Sequence, residues 1–151
     1  MTSQTTVPTP DARATADTGS RSALAKAIGV AVVAAAVVNS VIAAIARGPL
    51  DVSSEFQPLT APVFLMWTVV GVVVGALAWR LIVRRSPRPA SLLRWLVPTV
   101  VVLSLIPDVL VLAAESMPGT SAPAVVALMV MHVATAAVAV PTYQRFLPAA
   151  D

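Results

Sequence analysis

The stretch KAIGVAVVAAAVVNSVIAAIAR, residues 26–47, decides the fold. Between its two terminal cations lie 20 uncharged residues. At about 1.5 Å per residue a helix of that length covers roughly 30 Å, the hydrocarbon thickness of a bilayer. Three further runs of this kind follow, so transmembrane helices are predicted at about 24–46, 62–83, 94–114 and 123–143. Pro62 suits a first helical turn, where its missing N–H removes nothing, and the stem of Arg80 is long enough to reach the headgroups. A backbone in lipid has to satisfy its own hydrogen bonds, and barrel strands would be about half as long and alternate in polarity. The expected fold is therefore an all-α integral membrane bundle of four helices, bent at the internal prolines Pro98, Pro107 and Pro141. A cleavable signal peptide ending at Ala44-Ile45-Ala46 is the rival reading of the first run. It is disfavoured because that run is longer than the usual apolar region of about 7–15 residues and contains Asn39 and Ser40.

Composition supports the same solvent. Of 151 residues 58% are hydrophobic and 11% charged, against about 45–50% and about 25% in ordinary soluble domains. Aromatics make up only 5%, too few for a soluble core of usual burial energy. The absence of cysteine removes disulfides, thiolate metal sites and thiol nucleophiles. Residues 1–22 are rich in Thr, Ser, Ala, Pro and Asp and are expected to form a disordered cytoplasmic tail. Residues 23–145 form the membrane domain and 146–151 a short second tail.

The basic residues orient the bundle. Nine of ten fall on one side: Arg13, Arg21 and Lys26 before the first helix, Arg80, Arg84, Arg85, Arg88 and Arg94 around the second linker, and Arg145 after the fourth helix. Only Arg47 lies opposite, near Asp51 and Glu55. Cytoplasmic loops carry the excess of Lys and Arg, so both termini are expected inside and the plasma membrane is the expected location. The net charge of +3 does not point to nucleic acid, since the cations flank apolar runs rather than interleave with exposed aromatics. The expected partners are the lipid bilayer and a second copy of the chain or a membrane protein.

Few residues are candidates for function. Gly71 and Gly75 stand four apart, a spacing that lets another helix approach closely, either inside the bundle or in a homodimer; Ala27, Ala31 and Ala35 form a matching row. Asp108 is a carboxylate inside a membrane run, costing about 2.5–3.5 kcal/mol on insertion scales. It follows Pro107, with Ser104 one turn earlier and Glu115 two turns later. Asp108 is either an ion, proton or substrate site, or a group that closes hydrogen bonds opened by the proline. His132, the single histidine, serves structural hydrogen bonding, proton handling with Asp108, or a metal. A zinc site takes three or four ligands and only Asp108 and Glu115 are at hand, so neither metal nor cofactor is expected. Asn39, Thr68 and Asp108 lie about 10 Å in from the outer surface by helix rise, with His132 about a turn deeper. If all face inward they form one polar cluster with a residue from each helix. No nucleophile elbow, phosphate loop, H-E-x-x-H or dinucleotide fingerprint is present, and no enzyme activity is expected.

Asn39, Arg47-Gly48-Pro49, Thr68 with Gly71 and Gly75, the arginine-rich loop, Ser104-Leu105-Ile106-Pro107, Met131-His132 and Pro141 together resemble a group of small four-helix actinobacterial membrane proteins, domain of unknown function 6069. The resemblance covers roughly residues 23–145 and implies the four-helix architecture and no particular activity. Asp108 is not among the residues that carry it. The expected function is non-enzymatic helix packing with itself or a membrane partner. The alternative is a small oligomeric transporter or channel subunit using Asp108 and His132 as proton or cation sites.

Overall fold

The computed structural model describes the backbone of residues 10–150 and the side chains of residues 19–150. Helices are the only regular elements among the described residues: α1 (Pro10–Arg47), a 3-10 turn (Gln57–Leu59), α2 (Ala61–Arg85), α3 (Pro89–Ser104), α4 (Ile106–Ala114) and α5 (Ala122–Phe146). Four stretches are long and apolar enough to cross a membrane: Gly19–Arg47, Ala61–Arg85, Pro89–Ala114 and Ala122–Phe146. The chain is a multi-pass, four-helix membrane bundle.

Each span is longer than the apolar run that announces it. Hydropathy marks where lipid begins, whereas a helix continues past that point once nucleated, because each further residue adds a hydrogen bond without a new nucleation cost. For this reason α1 starts at Pro10, and residues 10–22 are helical where the composition predicts a disordered tail. Residues 1–9 of that expected tail lie outside the described residues. Of the expected tail 146–151, Phe146 ends α5, and Phe146, Leu147 and Ala149 pack against the bundle. Trp79 Nε1 donates to the Leu147 carbonyl at 2.9 Å, which ties this segment down.

The third span is the main departure. Pro98 and Pro141 stay inside continuous helices, but the chain breaks at Leu105. Pro107 has no N–H to offer the Leu103 carbonyl, and Leu105 N–H closes a tighter turn on the Val102 carbonyl at 3.2 Å. A second helix starts there, with Pro107 and Asp108 in its first turn.

Two apolar clusters fill the bundle. At the arginine-rich end Ala27, Ala31 and Ala35 pack on Val72, Ala76 and Trp79 of α2 and on Ala139 and Tyr143 of α5. The three alanines are fully buried. With no side chain beyond Cβ, this row brings α1 close to its neighbours, and dispersion between near backbones holds membrane helices together. At the opposite end Ala43, Ala46, Phe64, Ala124, Ala127 and Met131 pack with Val52, Phe56 and Leu59 of the linker. That linker folds back over the bundle, Val52 N–H donating to the Ala46 carbonyl at 3.0 Å. Gly119, in the loop between α4 and α5, meets it: at φ +71° a Cβ there would stand 3.0 Å from the Phe56 amide nitrogen. One third of the most apolar part of α5 is buried (33%), against 6% for the third span, so α3 and α4 lie at the periphery.

Candidate functional site: the intramembrane polar residues

Between the two apolar clusters lie the polar side chains, in two groups rather than one. Asn39 continues the α1 alanine row at the same four-residue spacing, which aims it at the bundle centre, 2% exposed. Its amide nitrogen donates to Thr68 Oγ1 at 2.9 Å and to Thr135 Oγ1 at 3.0 Å, joining α1, α2 and α5. Thr68 spends its own proton on the Phe64 carbonyl at 2.7 Å, so its oxygen can only accept here. That commitment fixes which face of the Asn39 amide points at it. The Asn39 carbonyl oxygen is buried without a hydrogen bond.

Asp108 and His132 form the second group, linking α4 to α5. Asp108 Oδ2 lies 3.0 Å from His132 Nδ1. The same nitrogen lies 3.0 Å from the Leu128 carbonyl one turn back. Both neighbours are oxygen acceptors, so Nδ1 carries a proton. That proton satisfies hydrogen-bond geometry toward the carbonyl, whereas Asp108 Oδ2 is buried with no hydrogen bond. The contact with the Asp108 carboxyl group is therefore a close approach rather than a hydrogen bond, and it is an ion pair only when the ring is protonated. The exposures are unequal: the Asp108 side chain is 8% exposed and that of His132 42%. Asp108 owes its place to the break at Leu105, which puts it in the first turn of α4, where the helix dipole favours a negative charge.

The single cluster of four helices is thus corrected. Three helices meet at Asn39, and the third span reaches only His132. Ser104 joins neither group, because its hydroxyl donates to the Val101 carbonyl at 2.7 Å and the break at Leu105 separates it from the Asp108 helix. Thr135 is the member that sequence reasoning missed. Its signal was its position three residues after His132 on the helix facing Asn39, but threonines in such helices often bond only their own carbonyls, as Thr99 and Thr142 do here. No group of three or more potential metal-binding side chains gathers among the described residues.

The two glycines of α2 part company. A Cβ at Gly75 would stand 3.3 Å from the Tyr143 hydroxyl oxygen, and Tyr143 passes there to donate to the buried Val72 carbonyl at 2.6 Å. The Tyr143 ring also lies against Trp79, centroids 5.7 Å apart. Gly71 is exposed and has open space around its missing Cβ. Of the basic loop, Arg80 is half-buried and donates to Ser20 Oγ at 2.9 Å, whereas Arg84, Arg85, Arg88 and Arg94 are exposed.

A family model described as a family of unknown function, DUF6069, matches residues 19–149. No curated protein and no solved structure matches the chain.

Proposed function

The chain belongs to the DUF6069 family, and from that premise we propose that it is a non-enzymatic protein of the plasma membrane that works by packing side by side with a second copy of itself or with a helix of a membrane partner. Its arginine-rich end faces the cytoplasm, in keeping with the positive-inside rule. The supporting observation is the flank of His132. Its side chain is 42% exposed deep within a span, beside a buried carboxylate oxygen that no hydrogen bond satisfies. Polar groups at such depth are costly against hydrocarbon and gain by meeting a donor or acceptor on another helix. Gly71, open on the surface of α2, offers another place for close approach.

The test is the mass of the purified full chain in native-lipid nanodiscs, with anything that travels with it. An assembly of two or more chains, or a stoichiometric membrane protein, is expected, and His132→Leu should shift it toward the lone chain. A wild-type chain that is alone at membrane density overturns the reading.

A second reading rests on the 3.0 Å approach of Asp108 to His132. Two titratable groups this close, one reaching the surface, suit a proton or cation site of an oligomeric transporter or channel subunit. Asp108→Asn should then abolish a pH-dependent flux into proteoliposomes. Fluxes at background in the wild type count against it.

A further inference from the structure

A pocket of about 200 Å³ opens at the arginine-rich end, lined by Ser20 and Ala23 of α1, Arg80, Val83 and Arg84 of α2, and the Phe146–Pro148 segment that leaves α5. We infer that this pocket binds the phosphate of an acidic phospholipid, with its acyl chains running down the apolar walls toward the bilayer. Three observations carry it.

First, Arg80 is placed rather than splayed. Its position five residues before the end of α2 sets it about 7.5 Å inside the span by helix rise. A terminal nitrogen of its guanidinium is anchored on Ser20 Oγ at 2.9 Å, so the planar fork is oriented before any ligand arrives. A guanidinium offers five donors in a geometry matched to phosphate oxygens, and the hydroxyl engages one. Second, Arg84 lies one turn further along the same helix face, at the outer rim of the same pocket. Two cations thus converge on one opening, and no carboxylate lines it among the described residues. Third, the rest of the lining is Ala23, Val83, Phe146, Leu147 and Pro148. An apolar floor beneath a double cation at headgroup depth matches an amphiphile, which buries chain and phosphate together. A free anion gains nothing from the floor. Snorkelling alone accounts for cations at a helix end, but not for a partly buried arginine held by a hydroxyl of another helix.

The inference is independent of any role for Asp108 and His132. Its test uses the full-length chain, stripped of lipid in mild detergent and titrated with phosphatidylglycerol, phosphatidylcholine or inorganic phosphate, bound molecules being counted by native mass spectrometry. One phosphatidylglycerol should be retained in preference to phosphatidylcholine. Arg84→Gln should weaken that retention about tenfold, the fold-change of one lost charge-assisted contact. Arg88→Gln, in the loop outside the pocket, should leave it unchanged. Arg80→Lys, which keeps the charge and loses the fork, should weaken it as well, and serves if Arg80→Gln does not fold. Equal losses for Arg84→Gln and Arg88→Gln would mean diffuse attraction to the whole basic loop and overturn the site. So would equal retention of phosphatidylcholine, or displacement of the lipid by millimolar inorganic phosphate.

Discussion

Asn39 with its two threonines and Asp108 with His132 both meet one helix, α5, only three residues apart along it at Thr135 and His132. Three residues turn a helix by about 300°, so these two side chains diverge by about 60°. That rotation separates a polar knot from a polar edge. Asn39 is enclosed by three helices, and both threonine oxygens receive its amide protons. His132 leans over a single buried carboxylate with much of its ring uncovered. Polar residues at similar depth in one membrane protein thus differ in what they are free to do. The first group holds helices in register, and the second has capacity left for another molecule.

The largest effect that would sharpen this contrast is expected from Asn39→Asp. The substitution replaces the amide donor with an acceptor facing two hydroxyl oxygens, one already committed, inside the bundle. It should cost about 3 kcal/mol, read as the unfolding midpoint in mixed micelles. Next comes the pair of glycines. Gly75→Val should push Tyr143 off the Val72 carbonyl and cost about 1–3 kcal/mol as overpacking, whereas Gly71→Val, with open space around it, should leave the monomer's stability unchanged. A loss at Gly71 equal to that at Gly75 in a protein shown to be monomeric would break the picture. Thr135→Val removes one acceptor from Asn39 and should cost about 0.6 kcal/mol, the usual value of a hydrogen bond between membrane helices. Asp108→Asn keeps the shape of the side chain and removes a charge from the membrane, so the unfolding midpoint should not fall. If it destabilises as much as Asn39→Asp, the edge is as structural as the knot and the distinction fails.

Much of this arrangement is legible in the sequence, for physical reasons. Twenty uncharged residues between Lys26 and Arg47 leave little alternative to a membrane helix, and the alanine row at positions 27, 31 and 35 marks the packed face of α1 by its spacing. The ends of the helices were less legible, because composition records the limit of lipid and not the limit of hydrogen bonding. The break at Leu105 was hidden among three internal prolines that look alike. What distinguishes Pro107 is the carboxylate after it: proline with an acidic residue in the first turn is a helix-start signature, here buried in an apolar run. Phe56 and Leu59, among the largest fully buried side chains, lie in the linker that also carries Asp51 and Glu55. Their burial depends on chain that returns from elsewhere in the sequence, and local pattern carries no trace of that.

The α1 row has a consequence for how the protein is made. The partner α1 touches most extensively is α5, at the other end of the chain. During synthesis the first helix is laid into the membrane with Ala27, Ala31, Ala35 and Asn39 facing lipid, and α2 covers only part of that face before residues 122–146 emerge to complete the cover. Domains fold as their parts become available, and contacts distant in sequence close last. A chain halted after α4 would hold three of its four spans and still lack the principal cover of its first helix and one of the two acceptors for Asn39.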